Sequence, residues 1–221
     1  MNEIKAIERE LRIYESLKSR AINAFDKGNY EQSLDYIYLS ATWAWTHPFG
    51  IWYDDKLEYL LSKVGKCVIS SEMCNYERQF NKEREEHKKV VYIASHLHDV
   101  GGHSRVINEW VDMLSGTFRE QCVYITNVMN TPTVSPYIIN CLKQKGVRIV
   151  QLPWYDSYVN RIKEIAYWIK KDSPDIILLF IHPNDIIALS AVLSFDNRPY
   201  TVLFNHADHV FWLGRNAIDL F

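Results

Sequence analysis

The chain has 221 residues, of which 48% are hydrophobic, and its formal net charge is −2. This length suits one large domain or a domain with an appendage, and the slight acidic excess argues against nucleic acid as a partner. No apolar stretch reaches the ~20 residues needed to cross a bilayer, although peripheral contact with a membrane surface stays compatible with the sequence. The four cysteines are scattered without a Cys-x-x-Cys pair, which favours a reduced, cytoplasmic location.

Residues 1–88 predict a small helical cap. Apolar side chains recur at three- and four-residue steps near the N-terminus, as on one face of an amphipathic helix: Ile4, Ile7, Leu11, Tyr14 and Leu17. Residues 21–41 resemble one helix–turn–helix unit of a tetratricopeptide repeat, with a tight turn at Gly28-Asn29-Tyr30. A stacked array needs several such units, so a single unit predicts a cap and not a binding array. The dense charge at 75–89 predicts a solvated helix or a linker.

Residues 89–221 predict alternating strands and helices. Apolar runs at 90–94, 121–126, 147–152, 175–181 and 200–205 are separated by helical patterns near 103–115, 134–145, 157–171 and 184–194. This alternation is typical of an α/β fold, with a Rossmann-like parallel sheet and helices on both faces, here preceded by the all-helical N-terminal segment. Sheets of this kind bind ligands beyond the carboxyl ends of their strands.

The loop after the first strand has the residues of an anion site. It carries His96, His98 and the adjacent pair Gly101-Gly102, and His103 opens the next helix. We expect the glycines to permit positive φ and a close approach of the backbone to a ligand, so that the loop and the helix N-terminus cradle a phosphate or diphosphate. The dinucleotide fingerprint Gly-x-Gly-x-x-Gly and the Walker Gly-Lys-Ser or Gly-Lys-Thr are absent from the sequence. A plain tight turn is the structural alternative.

Two further polar loops follow later strands. His206, Asp208 and His209 come directly after the last apolar run, and a histidine there can titrate near neutrality or bind a ligand through either ring nitrogen. Because the carboxyl ends of parallel strands share one edge, we expect this corner to face the glycine loop. The residues 182–185 share that edge, and Asn184 or Asp185 is expected to cap the next helix.

Two motifs together resemble a known family. They read Asp99-Val100-Gly101-Gly102-His103-Ser104-Arg105-Val106 and Asn205-His206-Ala207-Asp208-His209-Val210-Phe211-Trp212-Leu213-Gly214. The chain from about residue 88 onward resembles the N-terminal half of a GT-B glycosyltransferase, and within that architecture it is most similar to the retaining, nucleotide-sugar-dependent family 4. The resemblance implies a hexosyltransferase of carbohydrate metabolism that uses a nucleotide-sugar as co-substrate, with no bound metal and no other cofactor.

The resemblance also implies roles for single residues. Gly101 and Gly102 match the loop that lies against the donor diphosphate, and His206 matches the catalytic-site histidine near the anomeric carbon. Further substrate contacts are expected from the neighbouring residues His98, Asp99, His103, Asp208 and His209. The implied partners are a nucleotide-sugar donor, a sugar, lipid or protein acceptor, and a donor-binding domain of the same protein, which is expected to follow residue 221. The fragment alone is therefore expected to lack turnover.

Two other function classes stay open. A metal-dependent hydrolase could hold a water-activating ion with the cluster His96, His98, His206 and His209. Its spacing does not match the metallo-β-lactamase motif His-x-His-x-Asp-His, because Asp99 directly follows His98 and no histidine comes next. The other class is a non-catalytic interaction module, built from the helical cap and a degenerate α/β domain.

Overall fold

The computed structural model describes residues 3–70, 88–132 and 134–220. Three helices come first, α1 (Glu3–Asp26), α2 (Tyr30–Thr46) and α3 (Asp55–Val68). Strands and helices then alternate as β1 (Lys89–Ala94), α4 (Gly102–Leu114), β2 (Glu120–Ile125), α5 (Pro136–Gln144), β3 (Arg148–Gln151), α6 (Tyr158–Asp172), β4 (Ile176–Phe180), α7 (Ile186–Leu193) and β5 (Tyr200–Leu203), followed by a 3-10 helix at Arg215–Ala217. The charged segment predicted at 75–89 lies almost entirely outside the described residues.

The strands form a parallel sheet in the order β3-β2-β1-β4-β5. β1 pairs with β2 on one side and with β4 on the other, so that Ala94 is level with Ile125 and with Phe180. After β1, the chain adds β2 and β3 on one side of this strand. It then crosses back and adds β4 and β5 on the other side. The strand order reverses between β1 and β4, where diverging loops leave a crevice beyond the carboxyl ends. The predicted Rossmann-like α/β fold is confirmed.

Two hydrophobic cores lie on opposite faces of the sheet. In β1, Val90, Tyr92 and Ala94 face a core that also contains apolar residues of α4 and α5. Val91 and Ile93 face a second core, shared with α6, α7 and the three N-terminal helices. A strand that is buried on both faces must be apolar at successive positions. This explains why the first strand reads as an unbroken apolar run.

The N-terminal helices pack onto the second core. α1 and α2 form the predicted helix–turn–helix, with Gly28 at a φ of +73° in the turn and Asn29 capping α2. No helix among the described residues combines the length and the apolar character needed to span a bilayer. The predicted division into a cap (1–88) and an α/β domain (89–221) stays a prediction, while the packing joins the two through one core.

Two carboxylates of the N-terminal helices bind main-chain N–H groups elsewhere in the chain. Glu31 of α2 accepts hydrogen bonds from residues 158–159 at the start of α6, at 2.7 and 2.9 Å. Glu58 of α3 is buried and accepts three hydrogen bonds from residues 214–216 at 2.9 to 3.0 Å. Unpaired N–H groups at helix starts favour negative charge. Polar contacts therefore fix these helices against the sheet in addition to apolar packing.

Gly65 marks a close approach between α3 and α7. A Cβ atom at this position would lie 2.5 Å from the main-chain oxygen of Ser190. We expect Gly65→Ala to lower the free energy of unfolding by on the order of 2 kcal/mol, because overpacking against backbone outweighs the gain in helix propensity. Urea denaturation measures this loss.

Gly116 supplies the matched control. A Cβ atom there would meet no other atom within 4 Å, so Gly116→Ala should change the unfolding free energy by no more than about 1 kcal/mol. Equal stability of the two variants would contradict the close α3–α7 contact.

Candidate functional site

Histidines follow three neighbouring strands at the point where the strand order reverses. His96 lies two residues beyond Ala94, the end of β1, and His182 lies two residues beyond Phe180, the end of β4. Ala94 and Phe180 are level in the parallel ladder, so the two histidines leave the sheet at the same height. His206 follows β5, which is the next strand beside β4.

A cleft of about 380 Å³ opens at this edge of the sheet. Five histidines from four parts of the fold line it: His96, His98, His103, His182 and His206. Gly101, Gly102, Ser104, Val106 and Phe204 complete the lining among the described residues. The structure thus brings the glycine loop and the corner at His206 into one cleft.

The five rings form two groups in contact. In the first, His182 Nε2 lies 3.2 Å from His96 Nδ1, and the ring centre of His98 lies 4.0 Å from that of His96. In the second, the rings of His103 and His206 are perpendicular, with centres 4.0 Å apart. Two neutral imidazoles can share an N–H···N hydrogen bond, whereas two imidazolium ions at this distance repel each other. Each close pair therefore favours no more than one added proton.

The glycine pair opens α4 without a side-chain cap. Gly101 holds the N-cap position of α4, and no side chain accepts a hydrogen bond from the first turn. Five other helices have such a cap, from Asn29, Asp54, Ser135, Ser157 and Asp185. The first N–H groups of α4 are therefore available to an anion at the cleft.

The positive φ expected at the glycines is not observed. Gly101 is extended, with a φ of 160°, and Gly102 is the first residue of α4 and is not in the left-handed region either. The loop reaches the helix by an extended residue and needs no left-handed turn. A Cβ atom at either glycine would meet no atom within 4 Å, so packing does not require glycine either. What the missing side chains provide is free space beside the N-terminus of α4.

Three of the predicted substrate-binding residues lie outside the lining. Asp99 accepts a hydrogen bond from Ser135. On an exposed loop, Asp208 Oδ1 lies 3.5 Å from His209 Nδ1. The side chain of Asp208 is 92% accessible and that of His209 is 77% accessible. The structure therefore gathers Gly101, Gly102, His98 and His103 around His206, and separates Asp99, Asp208 and His209 from them.

His96 and His182 line the cleft but were not in the predicted set of substrate-binding residues. The signal in the sequence is their similar offset from two apolar runs, 90–94 and 175–181. That signal becomes informative only with the strand order, because β1 and β4 are separated by two strands along the chain and are neighbours in the sheet.

Asp185 joins the loops beneath the cleft. Its side chain is fully buried. One oxygen accepts hydrogen bonds from Ser95 at 2.6 Å and Thr126 at 2.7 Å, and the other accepts from the main chain of residues 187–188. Ser95 Oγ in turn accepts the N–H of His182 at 2.8 Å. The predicted helix cap is confirmed, and the same carboxylate also ties together the ends of β1, β2 and β4.

Burial keeps histidines of the cleft uncharged. His103 meets Phe180 and Phe204 edge-on, and burial together with nearby histidines lowers the pKa of His103 to about 4. The same causes lower the pKa of His96 to about 3 and that of His182 to about 4. Burial also lowers the pKa of His206. At pH 7 these rings are neutral, and each presents one N–H donor and one acceptor nitrogen.

The alternative metal cluster is not assembled. Within residues 3–70, 88–132 and 134–220, no group of three His, Cys, Asp or Glu side chains is arranged to hold a metal ion. Three of the proposed ligands, His96, His98 and His206, do line the cleft. His209 belongs to the exposed loop and not to the lining.

The chain is distantly similar in structure to a known protein. No protein-family model matches the chain, and no curated protein matches it. A mutant of the O-GlcNAc transferase of Thermobaculum terrenum is similar with a TM-score of 0.45 and 12% identity, over 94% of this chain and 40% of that one. The chain thus spans less than half the length of that structure.

The neutral histidines predict a loss of stability in acid. An unfolded histidine binds a proton below about pH 6.5, whereas His103 in the folded chain does so only near pH 4. Between these values protons favour the unfolded chain, so stability is fully present above pH 6.5 and declines as the pH falls toward 4. We expect His103→Phe to reduce the stability difference between pH 7 and pH 4.5 by on the order of 1 kcal/mol, after allowance for partial solvent exposure.

Urea denaturation at the two pH values measures this difference. Phe204→Leu is the control, because it alters the same aromatic contact and removes no titratable group. An unchanged acid loss in His103→Phe would show that His103 is not held neutral by the fold.

Proposed function

We propose that the chain is the acceptor-side half of a GT-B glycosyltransferase, similar to the retaining family 4 enzymes, that transfers a sugar from a nucleotide-sugar without a bound metal. One arrangement supports this: the uncapped N-terminus of α4 and His206 line the same cleft where the strand order reverses. Open α/β sheets bind nucleotide ligands at this place, and main-chain amides at a helix start bind phosphate.

The glycine loop is the proposed seat of the donor diphosphate. The free space beside Gly101 and Gly102 lets phosphate oxygens approach the N–H groups of the first turn of α4. In glycosyl transfer, negative charge develops on the leaving diphosphate, and oriented N–H dipoles in a site shielded from water stabilise such charge. Ser104 is buried and accepts the N–H of His98 at 3.0 Å, which holds the loop in position.

His206 is the proposed residue at the reacting sugar. Its ring lies 4.0 Å from that of His103 and 5.5 Å from that of Trp212, measured between centres. The indole N–H of Trp212 donates to the carbonyl of Ala207 at 2.6 Å and fixes the loop next to His206. A neutral imidazole in this position can accept a hydrogen bond from a sugar hydroxyl.

The proposal extends to partners and location. The acceptor would be a sugar, a lipid or a protein, and a second, donor-binding domain would form the opposite wall of the cleft. The nucleotide-sugar serves as co-substrate, no cofactor takes part, and the reaction takes place in the cytoplasm.

Gly102→Val tests the diphosphate seat. The Cβ atom of the valine would meet no atom within 4 Å, so the variant is expected to fold and to obstruct the place of the ligand. We expect binding of nucleoside diphosphates, measured by calorimetry with a panel of bases, to weaken at least about tenfold, or ~1.4 kcal/mol. Gly116→Val, at an equally open position away from the cleft, should bind as the unsubstituted chain does. Unaltered binding by Gly102→Val would remove the glycine loop from the proposed site.

His206→Ala tests the reacting group. We expect sugar transfer by the protein that carries this chain to fall by roughly a hundredfold or more, with an unfolding free energy within about 0.5 kcal/mol of the starting protein because the side chain is only partly buried. His47→Gln, a histidine at the end of α2 outside the lining, is the control and should keep turnover. Turnover near that of the control would refute the role of His206.

A further inference from the structure

The cleft offers a diphosphate no permanent positive charge. None of the described lining residues is Lys, Arg, Asp or Glu, and burial holds His96, His103 and His182 of the lining neutral when the cleft is empty. Transferring a multiply charged anion into a partly buried site without a counter-charge is costly. Protons taken up on binding would supply the positive charge that the described lining lacks.

Charged groups on the surrounding elements do not supply this charge. Besides the cleft histidines, the titratable and charged side chains on those elements include Asp99 after β1, Arg105, Glu109 and Asp112 on α4, Asp185 after β4, and Asp208 and His209 after β5. Arg105 is exposed and paired with Glu109 at 2.8 Å. Asp185 lies beneath the lining and is bonded to Ser95 and Thr126. From α2, the ring of Trp45 faces His182 with centres 5.4 Å apart, and it carries no charge.

Two ring nitrogens have the position needed to receive protons. Among the described residues, His103 Nε2 and His182 Nδ1 are buried and have no hydrogen-bond partner. Each belongs to one of the two close pairs, His103–His206 and His96–His182. A proton added at such a nitrogen turns an acceptor into an N–H donor, and an anion nearby stabilises the resulting imidazolium.

Building on the proposed function, we propose that the cleft binds the diphosphate of its ligand together with protons, which the pairs His103–His206 and His96–His182 take up from solvent. Each proton forms one N–H bond on an imidazole, and no bond of the ligand breaks. Because two imidazolium ions within one pair repel each other, uptake is limited to about one proton per pair. The occupied cleft then carries positive charge on histidine pairs that are uncharged when it is empty.

Proton uptake makes affinity depend on pH in a defined direction. The slope of the logarithm of the dissociation constant against pH equals the number of protons taken up. We expect inorganic pyrophosphate to bind at least about tenfold more tightly at pH 6 than at pH 8, after correction for the ionisation of pyrophosphate itself.

Calorimetry of inorganic pyrophosphate with the 221-residue chain tests the uptake. Titrations at pH 6.5 in two buffers with different ionisation enthalpies give the number of protons exchanged, expected to be between about one and two. His103→Gln and His182→Gln should each lower this number, and the contribution of pyrophosphate itself cancels between variants. His47→Gln, which leaves both pairs intact, should retain the affinity and the uptake.

The outcomes separate the two proposals. Pyrophosphate binding with no uptake, or with an uptake that neither glutamine variant lowers, overturns the proton linkage and leaves the diphosphate seat intact. Absence of binding at pH 6 overturns the linkage as well, while the transfer assay on His206→Ala judges the proposed function independently. If a glutamine variant fails to fold, the unsubstituted chain is titrated with pyrophosphate at constant pH and followed by proton NMR. The proton linkage predicts that histidine Hε1 resonances move toward imidazolium values, and unchanged resonances overturn it.

Discussion

The buried carboxylate of Asp185 holds the edge of the sheet on which the cleft depends. It accepts hydrogen bonds from Ser95 after β1 and from Thr126 after β2, and it caps α7 after β4. Burial raises the pKa of Asp185 and these four hydrogen bonds oppose that shift. A buried polar network with every partner in place is rigid, and the loss of one partner leaves a polar group unpaired at a cost of about 1–3 kcal/mol or more. Three loops are thereby held in one arrangement.

The rigidity of these loops explains the electrostatics of the cleft. His96 and His182 stand 3.2 Å apart, ring nitrogen to ring nitrogen, because their strands are in register and Ser95 binds the N–H of His182. Flexible loops would let two imidazoles separate and gain protons individually. Fixed loops keep them close, so that burial and mutual repulsion both favour the neutral rings. The short distance within each histidine pair disfavours charge in the empty cleft. It also limits the number of protons that each pair can bind together with an anion.

Much of the fold could be predicted from the sequence, because a strand that is buried on both faces of the sheet must be apolar at successive positions. The unbroken run at 90–94 and the turn at Gly28 carry their structural meaning locally. The histidine site was predictable only in part. The pairing of His96 with His182 depends on the strand order, which no local pattern encodes. The hydrogen bond that Ser135 donates to Asp99 joins two positions far apart in sequence. The positive φ expected at the glycine pair was wrong, since Gly101 is extended and Gly102 begins α4.

The N-terminal helices reach the cleft through the same core that covers the sheet. Trp45 of α2 faces the ring of His182, and Thr42, one turn earlier, accepts a hydrogen bond from Asn184 at 2.7 Å. Asn184 directly precedes Asp185, so α2 supports the loop that carries both His182 and the buried carboxylate. The close α3–α7 contact at Gly65 and the carboxylate of Glu58 hold the adjoining helix in place. Through Trp45 and Thr42, α2 therefore packs against the loop that carries His182, and the surroundings of the His96–His182 pair depend on the N-terminal helices as well as on the loop itself.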